Sequence, residues 1–110
     1  MIACLRKRVE DCIESLRDAN VVARCTAARA LGHMGSQARE AMPALIQALQ
    51  DREPLVRDAA AEAIGCVDPQ TPGAVSALMQ ALADSNSFVQ AAAARALKKA
   101  DVPQAARIHV

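Results

Sequence analysis

An all-α solenoid of stacked helix pairs is the fold class that the 110-residue sequence predicts, from three observations: a 33-residue internal period, an alanine-rich aliphatic composition, and apolar residues spaced by three and four. The period is clearest in residues 42–65. There Asp51, Arg57, Ala60, Ile64 and Gly65 each fall 33 positions after Asp18, Arg24, Ala27, Leu31 and Gly32, and Asp84, Ala93 and Leu97 carry the series forward. A period of about 20 to 50 residues marks an array whose units bury their apolar faces only against one another. The chain is 53% apolar yet holds a single aromatic residue, Phe88, so its core is aliphatic. Alanine favours helix and close helix approach, whereas strands draw on the β-branched and aromatic residues that are scarce here.

The first helix of the first pair spans residues 1–17, with Leu5, Val9, Cys12, Ile13 and Leu16 in one apolar stripe and a basic patch of Arg6, Lys7 and Arg8 at its start. Asp18, Ala19 and Asn20 form a turn, because Asp and Asn side chains bond locally to the backbone. The second helix runs from 21 to about 34, packs with Val22, Ala23, Ala27, Ala30 and Leu31, and closes at Gly32 and Gly35.

Residues 36–50 supply the next first-layer helix, with Met42, Leu45, Ile46 and Leu49 inward; Pro43 either opens it or kinks it, because proline lacks a backbone donor. After the turn at 51–53, Pro54 opens a helix over 54–66, and residues 67–73 (VDPQTPG) form the longest break. The third pair covers 74–83, with Val75, Leu78, Met79 and Leu82 inward, and 87–100, with Val89, Ala92, Ala93, Ala96 and Leu97 inward. The array is thus one domain over 1–110, with repeats at about 1–35, 36–69 and 70–101. Residues 102–110 are expected to start a partial fourth unit or to form a cap, since Ile108 falls 33 after Val75.

A period of 33 residues is also that of ankyrin arrays, and tetratricopeptide units are one residue longer. The T-P-L-H box of the former is missing, and so are the Trp and Tyr of the latter. A proline-led first helix, Asp at the turn, Val-Arg early in the second helix and Ala-x-Ala-Leu-Gly at its end are matched by Pro43, Asp51, Val56, Arg57, Ala61, Ala63, Ile64 and Gly65. Asp18, Arg24, Ala28, Ala30, Leu31 and Gly32 match in the first repeat, and the third departs at Gln90 and Lys98. Over essentially its whole length the chain resembles the short HEAT repeats first described in phycobiliprotein bilin lyases. That resemblance implies an α-α superhelix whose second helices (B helices) line the concave side. Such repeats occur in bilin lyases, di-iron hydroxylases, DNA glycosylases and, most often, interaction scaffolds, so fold analogy does not choose among activities.

The recurring Asp and Arg have a structural use. The turn Asp accepts from amides that open the B helix, and the Arg six residues later reaches a neighbouring carboxylate as a fork, so that Asp18, Arg24, Asp51, Arg57 and Asp84 make a ladder that ends at Gln90. Function is expected on the exposed B face. Counting eleven past each turn Asp gives Arg29, Glu62 and Arg95; counting seven gives Cys25, Asp58 and Ala91; the next row is His33, Cys66 and Lys99. These rows vary where the core rows do not, and Arg29, Asp58, Glu62, Arg95 and Lys99 are the expected binding residues.

Thirteen basic against twelve acidic residues leave a net charge of +1 and no field for nucleic acid or an anionic membrane. Without a C-x-x-C pair, an H-E pair or a glycine-rich phosphate loop, no metal, cofactor or catalytic site is expected. Cys4, Cys12, Cys25 and Cys66 read as reduced thiols of a cytoplasmic protein, in a chain that opens without a signal-peptide pattern. The expected role is a protein–protein interaction scaffold that holds a partner on the concave B face, with homodimerisation through the apolar array ends as a further expectation. The alternative is an accessory subunit of a bilin lyase or a related HEAT-repeat enzyme, using Cys25 or Cys66.

Overall fold

Short turns and local caps divide the described residues into six α-helices in three pairs. The computed structural model describes the backbone of residues 2–100 and the side chains of residues 6–100; the expected start of a fourth unit at 102–110 lies outside the described residues. The helices are α1 (Ile2–Ser15), α2 (Val21–Met34), α3 (Met42–Ala48), α4 (Pro54–Val67), α5 (Pro72–Ala81) and α6 (Ser87–Lys99), with a 3-10 segment, Gly35–Ala41, ahead of α3. The first layer is α1, the 3-10 segment with α3, and α5; the B layer is α2, α4 and α6, each packed on its neighbour. Every described element is helical, as the composition requires.

Each B helix starts on a local device. The Asn20 side chain accepts from the amides of Val22 and Ala23, and that of Asn86 from the amides of Phe88 and Val89, satisfying donors that a helix start leaves unpaired. Glu53 does not cap α4 with its side chain; Pro54 in the first turn removes one of the orphan donors instead. The turn aspartates act one step earlier, accepting from the amides of Asn20, Glu53 and Asn86 at 2.8, 2.9 and 2.9 Å. Gly35 ends α2 at φ 63°, a left-handed conformation that costs glycine little.

The expected helix over 36–50 is broken. Its first half tightens into the 3-10 segment, Ala38 leaves helical geometry at φ −98°, ψ 21°, and a regular helix resumes only at Met42 with Pro43 in its first turn. Proline has no amide hydrogen to give, so the α-helical ladder cannot run through this point. The break at 67–73 is shorter than expected. Val67 completes α4 as a buried residue, and Pro72 is tolerated in the first turn of α5, leaving the connection to Asp68, Pro69, Gln70 and Thr71.

The core is a continuous band of small aliphatic side chains, with Leu31, Leu45, Ile64, Leu78 and Leu97 fully buried at its centre. Four expected core residues lie outside it: Val22 and Leu82 are exposed, and Ala23 and Ala30 are only partly buried. Leu82 sits just past the end of α5, where the chain turns away from the interface.

Two devices join successive pairs, and both repeat every 33 residues. The Arg24 side chain is only 8% exposed; its Nε and Nη2 grip Asp51 of the next repeat at 2.9 and 3.2 Å, while Nη1 donates to the Asp18 carbonyl at 2.8 Å. Arg57 does the same, to Asp84 at 2.8 and 3.1 Å and to the Asp51 carbonyl at 2.8 Å. The second device is a notch. A Cβ on Gly32 would sit 3.2 Å from the Ala63 Cα, and one on Gly65 would sit 3.1 Å from the Ala96 Cα, so only glycine lets the B helices approach so closely. In α6, Gln90 keeps the local half of the first device by donating to the Asp84 carbonyl but has no guanidinium to reach onward, and Lys98 stands where the notch glycine would be.

The Arg57 fork, aided by the Asn86 amide and opposed by partial burial, holds the Asp84 carboxyl below its ordinary 3.8. Its contribution is complete above that value and is lost as pH falls through the lowered folded pKa. Arg57→Ala and Asp84→Ala are each expected to cost about 2 kcal/mol, with a coupling of about 1–2 kcal/mol in the double-mutant cycle that shrinks in acid; urea unfolding at neutral and acid pH measures it. Gly65→Leu is expected to cost about 2–3 kcal/mol through overpacking, against little change for the exposed Lys98→Leu, both read from denaturant midpoints.

Candidate interaction face

The side of the B layer turned away from the first layer carries the residues that the fold leaves free. On a helix, positions 4, 7, 11 and 15 beyond the turn Asp share one face, since three- and four-residue steps return to the same stripe. The parallel packing of α2, α4 and α6 sets equivalent positions beside one another as rows across the three helices. Arg29, Glu62 and Arg95 form the expected row and all three are exposed; Lys99 and His33 are exposed as well. Asp58, at the seven-residue position of α4, is half-buried.

Asp58 is the one described side chain with a buried polar atom lacking a partner, Oδ1. Burial pushes its carboxyl above the ordinary 3.8 and the Glu62 carboxylate adds to that, while Arg95 and Arg29 pull the other way. The two guanidiniums therefore act on Asp58 through space, and among the described residues no ion pair joins any of the five expected binding residues to another. Their charges are ordered across the array: Arg29 on α2, Asp58 and Glu62 on α4, Arg95 and Lys99 on α6.

The next row closes over a depression. Arg29, His33, Glu62 and Cys66, with Gly32, Ala59 and Ala63 as its floor, line a cavity of about 160 Å³ between α2 and α4. Lys99 Nζ lies 3.8 Å from the Cys66 sulfur. Burial pushes the Cys25 thiol up against the opposing pull of Arg29 and Arg24, which leaves it the neutral thiol at physiological pH. A larger cavity of about 410 Å³ lies at the opposite edge over Arg57 and Asp84. There Arg57 and Asp84 pair with each other and Asp51 with Arg24, while Arg52 is exposed at the rim. Among the described residues, no three His, Cys, Asp or Glu side chains gather as a metal site requires, and no helix is long and apolar enough to cross a membrane.

Sequence reasoning missed one row. Val22, Leu55 and Phe88 stand four residues after each turn Asp and are 66%, 60% and 72% exposed. They lie on the same stripe as the charged rows, one turn nearer the helix starts. The signal was the period itself: three apolar residues at 33-residue spacing, of which Val22 had been assigned to the core beside Ala23.

A family model for HEAT repeats matches residues 9–98. No curated protein matches the chain.

Replacing Asp58 by Asn removes a charge that burial and Glu62 both disfavour. A folded-state carboxyl raised above its unfolded value makes the native chain lose stability as pH rises from 3.8 through the folded pKa. Asp58→Asn is therefore expected to be more stable than the native chain at pH 7, with the difference closing toward pH 4; thermal melts across that interval test this.

Proposed function

The chain belongs to the HEAT-repeat family, and on that premise we propose that it is a protein–protein interaction scaffold that holds a protein partner against its B-helix face. HEAT repeats commonly mediate such interactions. The observation that carries this reading is the contrast between the two sides of α2, α4 and α6. The inward side repeats Arg24/Arg57, Gly32/Gly65 and Leu31/Ile64/Leu97 to build the stack, whereas the outward side changes charge from one repeat to the next and exposes Val22, Leu55 and Phe88. A rigid, preformed face loses little entropy on binding, so its affinity comes from a few anchors surrounded by complementary charge.

We read the protein as a non-catalytic, cytoplasmic adaptor without a cofactor and without affinity for nucleic acid, in keeping with a net charge of +1. Self-association through the apolar array ends is a second mode of assembly open to a short stack. The matching family model is that of HEAT repeats at large, which gives the bilin-lyase alternative no support, and the raised pKa of the half-buried Cys25 thiol does not favour it.

Affinity purification from the source cell with the intact chain and with the Arg29→Glu/Arg95→Glu double variant as baits tests the face. The expected result is loss of specific partners with unchanged helical circular dichroism. Retention of the same partners would move the interaction to the array ends, where sedimentation at high micromolar concentration would then show self-association.

A further inference from the structure

Two features of the outward face have no use inside the fold: the exposed row Val22, Leu55 and Phe88, and the Asp58 carboxylate, half-buried and without an ion pair among the described residues. Both lie on one stripe of each B helix and repeat, or fail to repeat, in a definite order. Resting on the scaffold reading above, we infer that the partner segment is an amphipathic helix lying across α2, α4 and α6, with its apolar stripe on Val22, Leu55 and Phe88 and its polar edge carrying acidic, basic and acidic residues in turn.

Spacing points to a helix. Neighbouring B helices lie about 8–10 Å apart, toward the short end where glycine meets alanine, so the three apolar residues form a row of two such steps. On a partner helix, seven residues advance about 10 Å and return to the same face. Anchors at positions i, i+7 and i+14 therefore meet one row residue each. The charged row lies seven residues further along each B helix, again about 10 Å away, and a helix with its side chains is about 10–12 Å across. Such a body touches the apolar row and the charged row together. An extended strand turns alternate side chains away from the surface and reaches one row only.

Charge fixes the polar edge. Along α4 from Leu55 come Asp58 and Glu62; along α2 from Val22 comes Arg29; along α6 from Phe88 comes Arg95, with Lys99 one turn further on. The complement is a Lys or Arg next to the middle anchor and an Asp or Glu next to each outer one. The middle cation does the most, since it faces two carboxylates, the exposed Glu62 and the half-buried Asp58, neither of which has an ion pair among the described residues. Phe88, the one aromatic residue of the chain and 72% exposed, makes the largest anchor.

Two synthetic helical peptides of about 18 residues, roughly 27 Å long, test the inference by fluorescence anisotropy with the intact chain. Both carry Leu at i, i+7 and i+14; one has the acidic–basic–acidic edge and the other the reverse. The expected result is at least about tenfold tighter binding of the first, a loss of about tenfold or more for both with Leu55→Glu, and collapse of the discrimination with Asp58→Asn. Equal affinity for the two peptides, no binding of either, or binding indifferent to Leu55→Glu overturns the inference, circular dichroism having shown the variants folded. If Arg29→Glu/Arg95→Glu still abolishes partner capture in those cases, the B-face scaffold stands and only the amphipathic-helix chemistry fails. If capture is also indifferent to that variant, the scaffold reading fails with it.

Discussion

The stack depends on a guanidinium that does two things at once. Arg24 and Arg57 each tie the carbonyl of their own turn to the carboxylate of the next turn, at the border between repeats where both partners are largely sheltered. Exposed ion pairs contribute little, but these are forked, largely sheltered and bonded at every point of the fork. Their geometry fixes the rotation of one helix pair on the next. With that rotation set, the B helices come close enough that position 32 or 65 must be glycine, and the alanines opposite fill the seam.

This arrangement separates the chemistry that builds the stack from side chains the stack leaves free on the same helix. Everything that holds the array together is on the inward face or at the turn edge, and it repeats because each interface poses the same problem. The outward stripe meets no such constraint, so Cys25, Asp58 and Ala91, or Arg29, Glu62 and Arg95, differ in type at equivalent positions. Asp58 shows what the outward stripe permits, since its carboxyl is partly desolvated with one oxygen lacking a donor among the described residues, and the fold tolerates it because the rest of the stack is well satisfied.

α6 marks a change in this pattern. Gln90 retains the clasp on its own turn while giving up the reach to a following repeat, and Lys98 fills the notch with a solvated cation. Both substitutions leave the face of α6 turned from α4 without the two features that join α2 to α4 and α4 to α6. The outward stripe, by contrast, continues through α6 undiminished, with Phe88, Arg95 and Lys99 exposed on it.

The sequence alone determined the helical class, the pairing of helices, the forked ladder and most of the core, because each follows from a period that local chemistry repeats: Asp at a turn, Arg six residues on, small residues at fixed offsets. It also placed Arg29, Asp58, Glu62, Arg95 and Lys99 on one face by counting. Tertiary structure decided what counting could not. Pro43 breaks its helix into a 3-10 segment, while Pro72 starts one, since the same missing donor matters only where the backbone would have used it. Val22 turns outward although its type suits a core, because the angle at which α2 meets its neighbours assigns that position to the exposed stripe. Whether a carboxylate finds a donor is likewise a matter of three-dimensional approach, which is why Asp51 and Asp84 are gripped by arginine and Asp58, with two guanidiniums near it, is not.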